Sequence, residues 1–76
     1  MNRATNQGPQ GLAPTPAVIR SAREAAGLTQ TAAAALVYST CRAWQKWEAG
    51  DARMHPGLFE LFEIKAGQLT RPNSQP

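Results

Sequence analysis

The sequence predicts an all-α fold, a compact bundle of four short helices that contains a helix-turn-helix. Three observations predict it. Threonines stand just ahead of three helical runs, at Thr15, Thr29 and Thr40, where a hydroxyl can cap free amide groups. Glycines follow two of those runs, at Gly27 and Gly50, where a helix stops on a left-handed residue. Apolar residues recur at spacings of three and four, and nothing reads as a strand. The 76 residues make one small domain, which buries only about 60% of the surface its unfolded chain exposes. Only five side chains are aromatic (two Trp, two Phe, one Tyr), so burial must come from thin alanine-rich helices packed closely. A large enzyme core is excluded.

Residues 1–15 carry almost nothing apolar beyond Leu12 and are expected to form a flexible arm, because such a segment cannot offset its own ordering entropy. Thr15 followed by Pro16 then opens helix one, with proline at a position that gives up no hydrogen bond. Val18, Ile19, Ala22, Ala25 and Ala26 recur at helical spacing until Gly27. Helix two is short. Thr29 caps it, Gln30 to Ala34 form its body, and Ala35 to Val37 its last turn. Tyr38 and Ser39 break the chain, and Thr40 caps helix three, Cys41 to Ala49. There Trp44 and Trp47 stand three apart on neighbouring parts of one face. The stretch from Asp51 to His55 reads as a loop, and Pro56 opens a fourth helix carrying Leu58, Phe59, Leu61, Phe62 and Ile64. The folded unit is expected over residues 16–67, with a flexible tail over 68–76.

Eight Lys and Arg against five Asp and Glu give a net charge of +3, which favours an anionic partner. The single Cys41 can form no intrachain disulfide and belongs to no Cys/His cluster, so a reducing cytoplasm is expected. No stretch approaches the roughly 20 apolar residues that span a bilayer, and the polar start lacks a secretion signal. His55 has no companion ligand or carboxylate at a telling spacing. With no Gly-rich phosphate loop or paired acids, no catalytic residue, metal or cofactor is assigned.

Two threonine-capped helices joined by about three residues have the layout of a helix-turn-helix. Residue by residue, the chain resembles the Cro and CI repressor family, also called XRE. The resemblance is carried by Ile19, Arg20, Ala22 and Arg23, by Ala26-Gly27-Leu28-Thr29-Gln30, by Thr40 with Trp44, and by Trp47-Glu48-Ala49-Gly50. It covers about 45 of the 76 residues. The family usually has a glycine where this chain has Tyr38, so either Tyr38 is left-handed at some cost or the turn differs. Ala33 and Ala35 are unusually small, and the two tryptophans are the expected compensation. The family's common fifth helix has no evident counterpart here.

The resemblance implies that helix three enters the DNA major groove. With Trp44 and Trp47 inward, Arg42, Gln45 and Lys46 face outward as base readers, and Cys41 joins them at the rim. Arg42 suits guanine, Gln45 suits adenine or a phosphate, and Lys46 can serve either as a point charge. The family's glutamine at Gln30 clamps the DNA backbone, and Thr29, Thr31, Thr40 and Arg53 are further backbone candidates. Arg23 and Glu48 are expected to pair and fix the reading helix to the scaffold, a structural role they share with Trp44 and Trp47. Helix four, with Glu60 and Glu63 against Lys65, is unsuited to DNA. Its surplus of apolar residues makes Leu58, Phe59 and Phe62 candidates for a homodimer seam.

The expected function is that of a sequence-specific regulator of double-stranded DNA, a cytoplasmic homodimer of the small phage or plasmid repressor kind. It would occlude a promoter at a palindromic operator, its own promoter included, and it is not expected to be an enzyme. Two other readings stand beside it: an antitoxin that masks a toxin protein, and a protein-interaction adaptor on the same fold.

Overall fold

Each of the first three helices begins on a threonine and ends at a left-handed residue, and these two local devices set the path of the chain. The computed structural model describes residues 12–70. Helix α1 (Pro16–Ala25) follows Thr15, whose Oγ accepts a hydrogen bond from the Val18 N–H at 3.2 Å. Helices α2 (Gln30–Leu36) and α3 (Cys41–Ala49) follow Thr29 and Thr40, whose hydroxyls accept from the Ala32 and Ala43 amides at 3.0 Å each. Every such bond satisfies an amide that has no carbonyl partner inside the helix.

The left-handed residues are Gly27 (φ 72°), Tyr38 (φ 60°) and Gly50 (φ 84°). After each, the next amide reaches back across the last turn. Leu28 donates to the Arg23 carbonyl at 3.2 Å, Ser39 to Ala34 at 2.9 Å and Asp51 to Lys46 at 2.9 Å. Amides of Gly27, Tyr38 and Gly50 bond Glu24, Ala35 and Trp47, completing a Schellman pattern three times. The question left open at Tyr38 is thereby answered: the turn keeps its left-handed form with tyrosine in place of glycine.

Helix α4 (Pro56–Thr70) starts differently. His55 caps it, its carbonyl accepting from Leu58 and Phe59 and its Nδ1 accepting from the Gly57 N–H at 2.8 Å. A Cβ on residue 57 would lie 3.1 Å from that nitrogen, so glycine lets the imidazole fold over the helix end. The helix runs through Thr70, three residues beyond the expected limit at 67, because Gln68, Leu69 and Thr70 contain no helix breaker. Most of the expected arm and tail, residues 1–11 and 71–76, lies outside the described residues.

The described residues form an all-helical bundle without strands. Its core joins Ile19, Ala33, Ala34, Val37, Trp44, Trp47, Met54, Phe62 and Ala66. Trp44 is fully buried, edge-on to Trp47 at 5.4 Å and tilted against Phe62 at 5.0 Å between ring centroids. Ala33 and Ala34 of α2 are buried in the same core. Burial at three positions was not given by the sequence. Met54 lies in the loop expected from Asp51 to His55, yet it is fully buried and anchors the segment before α4. Val18 is 48% exposed, since Ile19, Ala22 and Ala26 already form the inward stripe of α1. Of the α2 alanines, Ala33 and Ala34 are buried in the core and Ala35 is exposed. No helix among the described residues is long and apolar enough to cross a membrane.

Candidate nucleic-acid interface

The inward side of α3 is held by one carboxylate. Glu48, with only 6% of its side chain exposed, receives four hydrogen bonds. Arg23 of α1 donates from Nε to Oε2 at 2.7 Å and from Nη2 to Oε1 at 3.1 Å. Trp44, one turn earlier on α3, donates its indole N–H to Oε2 at 2.6 Å, and Gln30 at the start of α2 donates from Nε2 to Oε1 at 3.1 Å. Arg23 also donates from Nη1 to the Leu28 carbonyl at 3.0 Å and lies 4.0 Å from Glu24. One cluster therefore ties α1, the α1–α2 turn, α2 and α3 together.

Burial is the strongest single influence on the Glu48 carboxyl and opposes its ionisation. The bonds from Arg23, Trp44 and Gln30, with the charge of Arg23, together outweigh it and hold the group below the usual glutamate value. Arg23 is held above its ordinary value, chiefly by the hydrogen bond to Glu48.

The sequence reading paired Arg23 with Glu48, and the structure brings them together. It did not find the bonds from Trp44 and Gln30. Spacing gave a signal for the first: Trp44 and Glu48 are one helical turn apart, and a buried indole N–H needs an acceptor. Nothing local could disclose the Gln30 bond, which joins residues 18 positions apart.

The opposite side of α3 presents Arg42, Gln45 and Lys46, all exposed and spaced three and four apart on one face. Among the described residues none of the three has an ion pair. Cys41 is half-buried and one turn before Trp44, so it sits at the edge of this face rather than on it. Thr29, Thr31 and Thr40 are exposed, although the oxygens of Thr29 and Thr40 already accept cap bonds. Arg53 is exposed in the segment after α3. Gln30 is half-buried: one amide hydrogen is committed to Glu48, leaving a second N–H and the carbonyl oxygen.

The expected dimer seam is corrected. Phe62 is 1% exposed and belongs to the core, while Leu58 and Phe59 are half-buried against it. Leu58, Phe59, Leu61, Phe62 and Ala66 of α4 are all buried in the core or packed against it, so the seam residues named from the sequence serve the chain's own core. Ile64, 53% exposed, lies on the other side. Among the described residues no group of three or more His, Cys, Asp or Glu side chains is gathered as a metal site would require.

No family model matches the chain. Over 50 residues, 66% of its length, it is 30% identical to the Type II methyltransferase M.MspI of Moraxella sp. The matched stretch is 12% of that protein, so the likeness concerns a small part of a much longer chain.

Proposed function

We propose that the chain is a sequence-specific binding module for double-stranded DNA, with α3 seated in the major groove. One observation carries the reading: a free Arg42–Gln45–Lys46 face on a helix whose other side is bonded to both preceding helices through Glu48. A helix so held presents its polar side chains in a fixed frame, as base readout requires. Arg42 would donate two bonds to guanine, Gln45 would pair adenine, and Lys46 would serve either a base or a phosphate. Gln30, Thr29, Thr31, Thr40 and Arg53 would hold the sugar-phosphate backbone.

In this reading the protein acts by binding rather than catalysis, as a cytoplasmic repressor of the Cro and CI kind. It would occlude a promoter as a homodimer on half-sites about one helical turn apart, its own promoter among the targets. The likeness to a short stretch of a longer methyltransferase fits a module that also occurs inside larger chains.

Selection of bound duplexes from a random pool, with the wild type and Arg42→Ala at one stated salt concentration, tests the proposal. A palindrome that loses definition at one position per half-site for the variant is the expected result. A folded protein that enriches no sequence overturns it and directs attention to a protein partner.

A further inference from the structure

Between α1 and α4 the surface is hollow. The wide end, about 840 Å³, is lined by Leu12, Pro14 and Val18 on one side and by Phe59, Glu60 and Glu63 on the other. A narrower continuation starts at Glu63 and runs between Ala22 and Ala25 of α1 and Ala66 and Gly67 of α4. Val18, Ala22 and Ala25 stand four and three residues apart, and Phe59, Glu63 and Gly67 four apart, so each helix turns one stripe toward the groove. From Pro56 to Gly67 the α4 wall extends roughly 16 Å, about three helical turns. Phe59 also packs on the core, but Val18, Ala25, Glu60, Glu63 and Gly67 are exposed and take no part in it. A Cβ on Gly67 would meet nothing within 4 Å, so the narrow end is open to an approaching chain.

The charge of this groove is opposite to that of the chain. Of the five acids, Glu24 pairs with Arg20 and Glu48 with Arg23. Glu60 and Glu63 have no ion pair among the described residues, and there no Lys or Arg lines either part of the groove. A net charge of +3 thus coexists with an acidic, apolar furrow.

We propose that the groove docks an amphipathic helix of another protein, one whose apolar stripe is bordered by Lys or Arg. Alanine and glycine at the narrow end let a helix backbone lie close, and Leu12, Pro14 and Val18 at the wide end receive a larger apolar side chain. Glu60 and Glu63 then each meet a base. Residues 1–11 and 71–76 of this chain contain one large apolar residue, Met1, and so supply no such stripe. A second copy docked groove to groove sets acid against acid. None of Gln30, Arg42, Gln45 and Lys46 lines the groove, so the docked helix and DNA use separate surfaces and neither reading rests on the other.

Fluorescence anisotropy of labelled peptides, titrated with the full chain in the absence of DNA, is the test. The probes are about 18 residues long, enough to form a helix. One carries a leucine and alanine stripe bordered by lysines, a second has glutamate for every lysine, and a third has the residues of the first in an order that scatters the stripe. The wild type should bind the first at least about tenfold more tightly than the other two. Glu60→Lys combined with Glu63→Lys should reverse the preference between the first and second. Val18→Asp should weaken binding of the first by at least about tenfold while helical circular dichroism persists. Amide resonances of Val18, Ala25 and Gly67 should shift on binding, and those of Arg42 and Gln45 should not. If the wild type binds none of the probes, the groove is filled by residues 1–11, by a second copy or by nothing, and the proposal is overturned. Equal binding of the scattered probe, or a preference that charge reversal leaves in place, overturns it as well. The duplex selection reads a different face, so failure of one proposal leaves the other testable.

Discussion

The two sides of α3 carry charge in opposite states. Inside, Glu48 and Arg23 have their bonds met by the chain itself, from Trp44, Gln30 and the Leu28 carbonyl as well as from each other. Outside, Arg42 and Lys46 have no ion pair among the described residues. Burial explains the difference: a charge withdrawn from water must find partners nearby, whereas an exposed one loses nothing by waiting. Inner charges should therefore govern stability and outer ones ligand binding.

The largest expected effect comes from breaking the inner side. Glu48→Ala would strand Arg23, only 13% exposed, together with the Trp44 indole N–H, at about 3–5 kcal/mol. Urea denaturation reads this directly, and a loss below about 1 kcal/mol would mean the cluster is not what fixes α3. Acid provides a second reading of the same group. The folded Glu48 carboxyl titrates below its ordinary value, despite the burial that opposes it, because of its bonds to Arg23, Trp44 and Gln30. Its contribution is therefore complete above the ordinary glutamate range and is lost as pH falls through the lower, folded value. Stability of the wild type should decline in that window, and the decline should be shallower in Glu48→Ala.

The outer side should give the reverse pattern. Arg42→Ala should weaken binding to the selected duplex by about 1–3 kcal/mol while leaving the urea midpoint nearly unchanged. Gln30→Ala joins the two patterns, because one of its amide hydrogens is on Glu48 and the other is free. It should lower stability by about 1 kcal/mol and weaken binding to all sequences alike. Equal losses on every sequence for both variants would erase the division between reading and clamping.

How much of this was legible in the sequence follows from the range of the interactions. Caps at Thr15, Thr29 and Thr40 and stops at Gly27 and Gly50 act within one helical turn, so residue type and spacing sufficed for four helices and their starts. Outward Arg42, Gln45 and Lys46 followed from Trp44 and Trp47 being inward. Met54 escaped because a single apolar residue among polar neighbours has no period, and only tertiary packing buries it. The seam residues named on α4 proved to serve the core for a related reason. An apolar surplus shows that a helix has more than one sticky side without showing which side the core takes, and here it took Leu58, Phe59, Leu61 and Phe62. Exposed Ile64 then became visible as the residue the core left over.

The smallest effect concerns the one stop that is not glycine. Gly27, Tyr38 and Gly50 close the same hydrogen-bond pattern, yet only Tyr38 carries a Cβ at positive φ, a conformation costing an L-residue roughly 1–2 kcal/mol. Two variants separate that strain from the Tyr38–Lys65 contact. Tyr38→Ala keeps the strain and loses the contact, whereas Tyr38→Gly loses both. Glycine's greater freedom in the unfolded chain offsets part of the relief, so Tyr38→Gly should be the more stable of the two by about 1 kcal/mol in urea. Equal stability would place the turn outside the left-handed region and remove the parallel among the three helix ends. If Tyr38→Gly is no more stable than the wild type, the exposed contact with Lys65 offsets the strain. Lys65→Ala should then destabilise the wild type and leave Tyr38→Gly unaffected, because the interaction needs both partners.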